Sequence, residues 1–144
     1  MANFVFTKAK AKIASGSIDL NTDDLRMLIV MSNSTAEDDE DAEFLSSITT
    51  LDEYNGSAYV RVALANEAVN EDLTNDRAIF TSDPVVFPGI GAGTRSGVGV
   101  IIYKHVGAES ANIPIIYHEP TAFPFIGNGG DVTINPHSTG WAYF

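Results

Sequence analysis

The sequence predicts a mainly β fold: an antiparallel β-sandwich or barrel, jelly-roll-like, with a short N-terminal helix. Three observations carry this expectation. Short runs rich in β-branched and aromatic residues recur along the 144 residues. Gly, Pro, Asn and Asp turn signals separate these runs. No strand pattern alternates with a long helical pattern, which disfavours a parallel α/β sheet. The length fits one domain, 1–144, with residues 1–16 set apart as an N-terminal helix or arm.

Residues 4–16 read as the helix. Alanine and lysine are good helix formers, and Gly16 stands where a left-handed C-cap would end it. Phe4 and Phe6 alternate with smaller residues, so a strand competes over 4–7, and helix is favoured from Thr7 onward. The apolar run 25–31 follows the turn-like cluster 21–24 and has the length of a buried strand. Residues 32–43 are a polar loop centred on Glu37, Asp38, Asp39, Glu40 and Asp41, with one helical turn around 42–47.

Eight further strands are expected, at 57–64, 67–73, 77–81, 85–87, 98–104, 113–118, 131–135 and 140–144. Asn55-Gly56, Asp83-Pro84, Pro88-Gly89, Gly129-Gly130 and Asn135-Pro136 are among the turn signals between them.

Composition narrows the function classes. Hydrophobic residues make up 44% and charged residues 19%, an ordinary globular balance. Net charge is −11, which repels nucleic-acid phosphates and disfavours a DNA or RNA partner. It also favours solubility at high copy number, because like-charged copies repel. No apolar run approaches the length of a membrane helix, and no apolar stretch precedes a cleavage site, so neither a membrane partner nor a secretory signal is expected. There is no cysteine. Charge is uneven: residues 1–18 carry three lysines and no acid, whereas 19–53 carry eleven acids against Arg26 alone.

No catalytic pattern emerges. The acids 37–41 are contiguous and lack the turn glycine of a calcium loop, so a solvated loop is the simpler reading. His105, His118 and His137 lack zinc-ligand spacing and read as surface or strand-end residues. Ser96 lies one place too late for a nucleophile elbow in 93–97. The glycines at 89, 91, 93, 97 and 99 fit no phosphate-loop register and read as a loop leading into a tightly packed strand. The sequence therefore predicts neither an enzyme nor a cofactor. Tyr59 with Arg61, and Tyr103 with Lys104, suit either an interface or cross-strand packing.

The order of segments resembles a group of small tailed-bacteriophage virion structural proteins. Residues 8–31 (KAKAKIASGSIDLNTDDLRMLIVM) match its opening of helix, turn and hydrophobic strand. The acidic segment with 43–48 follows, then GSAYVR at 56–61, NDRAIF at 75–80, Asp83, Val85, Phe87, Thr94-Arg95 and VIIYK at 100–104. GGDVTI at 129–134 and Gly140-Trp141 complete the match, which covers nearly the whole chain. Residues 122–126 are more apolar than the group's pattern suggests.

The resemblance implies a capsid decoration, or cement, protein made in the host bacterial cytoplasm and located on the virion. Its partner would be the major capsid protein, and a homo-oligomer such as a trimer would suit a symmetric shell. A tail, neck or fibre-base role is the alternative within the virion. A small carbohydrate- or ion-binding β-domain is the alternative outside it. Contact candidates are Phe4, Lys8, Lys10 and Lys12 in the N-terminal segment, with Phe123, Phe125 and Ile126 as an exposed apolar tip. Deletion of residues 1–15 is expected to leave the β-domain folded.

Overall fold

A strand buried on both faces cannot alternate apolar and polar residues, and the three central strands do not. They are β2 (Leu25–Met31), β7 (Gly97–Lys104) and β8 (Ile113–His118). In this computed structural model, which describes residues 3–144, they lie side by side in a five-stranded antiparallel sheet. β1 (Asn3–Val5) and β3 (Val62–Ala63) complete it, in the order β1-β8-β7-β2-β3.

Local irregularities in this sheet have clear causes. β8 carries Pro114 although it is an interior strand, and proline has no N–H to give the ladder. The register with β7 shifts between Ile102 and Tyr103, so that Pro114 sits opposite Tyr103 at the irregularity. A second shift, between Val30 and Met31, faces the glycines of β7. There Gly99 lies beneath the Tyr117 ring, where a Cβ would come within 2.6 Å of the phenol oxygen.

A three-stranded sheet has the order β10-β5-β4, with β4 (Ala68–Asp72), β5 (Arg77–Thr81) and β10 (Ala142–Tyr143). β6 (Val85–Phe87) pairs with β9 (Val132–Ile134) in a third sheet. The architecture is mainly β and antiparallel, with a sandwich-like arrangement of open sheets and no closed barrel among the described residues. One continuous apolar cluster runs through it, from Phe6 to Trp141. Among the described residues no helix is long and apolar enough to cross a membrane.

The α-helix of the described residues, α1 (Thr7–Ala14), ends as expected: Gly16 adopts φ 83°, and the N–H of Ser17 turns back to the Lys12 carbonyl at 2.8 Å. The competing strand over the first residues also exists, because β1 pairs with β8 and the helix begins only after Phe6. Residues 1 and 2 of the expected 1–16 segment lie outside the described residues.

Two corrections follow. The expected strand 57–64 shrinks to Val62–Ala63, because Ala58 takes φ 63° in a turn and Val60 is left 63% exposed. The described residues 3–15 do not stand apart as an arm, since Phe6 and Ala9 are fully buried in the core. The helical turn expected around 42–47 is present as one 3-10 turn, Leu45–Ser47.

Candidate functional site

The lysines of α1 do not form a free basic arm. The helix is anchored by Phe6 and Ala9, and the N–H of Thr7 donates to the Glu40 carbonyl at 2.9 Å. This lays one flank of α1 against the acidic loop. Lys12 bridges to Glu43 at 3.2 Å, and Lys8 lines a hollow with the acids 37–41. The charge asymmetry of the sequence is thus partly cancelled inside the molecule. Lys10, on the other flank, makes no ion pair among the described residues.

Within the acidic loop, Asp39 is held by local bonds. Asp39 accepts from the Thr35 hydroxyl at 2.6 Å and the Thr49 N–H at 2.8 Å, and the Thr35 bond chiefly lowers its pKa. Among the described residues no group of three or more potential ligands converges to hold a metal.

The apolar tip is mostly folded inward. Phe125 stacks on Tyr54 at 5.3 Å and lies 4.6 Å from Phe123, while its backbone bridges to Gly97 in both directions. A Cβ on Gly97 would collide with the Phe125 ring, so glycine is required there. Ile126 alone projects, 68% exposed. Tyr54 organises the surroundings: its hydroxyl donates to the Gly91 carbonyl at 2.7 Å and accepts from the N–H groups of Gly93 and Gly127.

The tyrosine and arginine pairs are packing. Arg61 grips Glu53 through two bonds of 2.8 Å and Glu109 through bonds of 2.7 and 3.0 Å, with its guanidinium 5.2 Å from the Tyr103 ring centre. The Arg61 bonds hold the Glu109 carboxyl below its usual range. Tyr59 donates to Glu53 and accepts from the Ile29 N–H, and burial pushes its phenol up. Glu53 and Glu109 lie far apart in sequence, and no spacing pattern announces their meeting at Arg61.

The feature that sequence reasoning missed is a cleft of about 830 Å³ built from the two ends of the chain. One wall is β1 with Phe4 and Val5, joined by Lys10 of α1; the other is Trp141 to Tyr143. His118, at the end of β8, stands edge-on to Trp141 at 5.8 Å. The Asn3 side-chain oxygen already accepts the Glu119 N–H at 3.0 Å, so the 2.8 Å contact with His118 makes Nδ1 the donor. Burial, reinforced by His137, lowers the His118 pKa. The Trp141 indole N–H is satisfied by Ser82 at 2.8 Å, which fixes the ring. Phe4, a contact candidate from the sequence, stacks on Tyr117 at 5.3 Å and borders this cleft. The cleft presents aromatic faces, amides, hydroxyls and the Lys10 ammonium, which makes no ion pair among the described residues.

The seven candidates therefore separate. Lys12 meets Glu43 and Lys8 lines the hollow of the acidic loop, Phe123 and Phe125 turn inward, Phe4 and Lys10 border the cleft, and Ile126 projects alone. No protein-family model matches the chain, and comparison with curated proteins returns no match.

Proposed function

We propose that this protein is a virion structural component of a tailed bacteriophage that decorates and cements the capsid shell. The observation that carries the reading is the order of segments from Lys8 to Trp141, which resembles such proteins over nearly the whole chain. The partner in this reading is the major capsid protein, and the protein acts as a homo-oligomer on the outer shell.

Binding to the assembled shell, and not to its dissociated subunits, shifts the equilibrium away from disassembly. Each copy adds apolar area removed from water, at roughly 25 cal/mol per Å². Ile126, exposed on a loop held by Tyr54, and Lys10, which makes no ion pair among the described residues, are the contact residues this reading favours.

Copy number tests the proposal. Densitometry of purified particles is expected to find the protein at a ratio to the capsid subunit typical of a shell component. A few copies per particle would move it to the tail, neck or fibre base, and absence from particles would overturn the virion reading.

A further inference from the structure

One aromatic ring of the cleft is braced from behind and open in front. The Arg77 guanidinium stands over the Tyr143 ring, 4.8 Å from its centre, and Arg77 is itself held by Asp72 at 2.8 Å. One ring face is therefore covered, while Tyr143 stays 58% exposed and lines the cleft. The opposite face is an aromatic surface already set in orientation, so a guest that lies on it orders little of the protein.

The two histidines of the cleft present opposite hydrogen-bonding groups. His118 donates from Nδ1 to Asn3, and its neutral ring keeps a lone pair on Nε2. That nitrogen has no partner among the described residues and is not one of their buried orphan atoms, so it is open to solvent. The His137 Nδ1 accepts the Thr139 N–H at 3.3 Å, so Nδ1 is the bare nitrogen and Nε2 carries the proton. His137 lies near enough to act electrostatically on His118. Asn135 lines the same cleft with a side-chain amide that makes no hydrogen bond among the described residues.

Charge and polarity narrow the guest. The lining balances Lys10 with Glu119, and the −11 of the chain repels anions. Among the described residues no group of three or more potential ligands converges to hold a metal. An apolar guest would strip water from the histidines and Asn135 and return no hydrogen bonds. An acceptor nitrogen, a donor N–H and an amide beside a tyrosine face suit an uncharged molecule that carries hydroxyls around a C–H surface.

We propose that the cleft binds a neutral saccharide, with one sugar ring on the open face of Tyr143 and its hydroxyls bonded to His118, His137 and Asn135. A hydroxyl both donates and accepts, so the same guest serves the bare and the protonated nitrogen. The cleft volume of about 830 Å³ suits a short oligosaccharide. The site needs neither a shell nor a second copy of the chain, and it stands independently of the capsid reading.

The test titrates the whole protein with maltotriose, cellotriose and chitotriose, all uncharged. Saturable binding of at least one is expected, read by Trp141 fluorescence and by NMR shifts of the Tyr143, His118 and His137 ring signals. Tyr143→Ala should weaken binding by about tenfold or more, whereas Tyr143→Phe, which keeps the ring, should stay within about threefold of the parent. Asn135→Ala, at an exposed position, should also weaken it and serves if the tyrosine variant folds poorly. Affinity should be insensitive to salt, because the guest carries no charge. The proposal is overturned if none of these sugars moves the ring signals up to about 10 mM, an order of magnitude past the weak millimolar end of binding. Unchanged affinity in both alanine variants overturns it. So do equal shifts from a polyethylene glycol of similar length, which lacks ring hydroxyls, or tighter binding of the anionic sugar sialyllactose.

Discussion

Removing one oxygen atom, in Tyr54→Phe, tests how the loops around Ile126 are held. The Tyr54 side chain is 2% exposed, and its hydroxyl makes three bonds, of 2.7, 2.9 and 3.0 Å, to Gly91, Gly93 and Gly127. Phenylalanine keeps the ring stacked on Phe125 and deletes only these bonds. Each is worth about 0.5–1.5 kcal/mol net, and an amide left buried without a partner costs ~1–3 kcal/mol. Gly127 is buried and pays near the upper end, whereas Gly91 and Gly93 are partly exposed and can recruit water. The sum is about 3 kcal/mol, within the additive range of three such bonds.

For a domain of this length that loss corresponds to roughly 10 °C in Tm. Urea unfolding followed by Trp141 fluorescence would show a lower midpoint at unchanged m. A loss below about 1 kcal/mol would refute the claim that one hydroxyl ties the three glycine backbones together. In the proposed function, the same variant should weaken any contact made through Ile126, because its loop is no longer anchored.

Two further outcomes follow from the fold. Phe6→Ala should cost about 3–5 kcal/mol, the range for emptying a buried phenylalanine site, since Phe6 is fully buried. A melting temperature within a degree or two of the parent's would restore the reading of 1–15 as a dispensable arm. His118→Gln should flatten the stability profile just below pH 6.5. There the unfolded imidazole takes up a proton that the folded ring, with its lowered pKa, resists, so stability falls as pH falls. Asp39, Asp52 and Glu109 act separately: their folded values are lowered, so their stabilisation is present above the ordinary carboxylate range and is lost in stronger acid. An unchanged slope between pH 6.5 and the carboxylate range in the variant would count against the role of His118.

Much of the fold was legible because its signals are local. Alanine and lysine with Gly16 placed α1, and apolar runs placed β2, β7 and β8 with their bounds nearly as read. The segment 57–64 misled because Tyr59 and Val62 carry strand propensity. The Ala58 turn and the Tyr59 hydroxyl, engaged at Ile29 and Glu53, spend that stretch on a loop instead. The apolar tip misled in a similar way, since exposure is decided by neighbours: Gly97 leaves space that the Phe125 ring fills.

The sequence by itself determined the β class, the one helix and its stop, because propensity, turn chemistry and burial pattern act over a few residues. Only the tertiary structure decided which charges cancel and where a cleft forms. Lys12 meets Glu43, Arg61 joins Glu53 to Glu109, and β1 pairs with the distant β8. Each of these depends on partners brought together by the packing of remote segments, and no spacing along the chain encodes that.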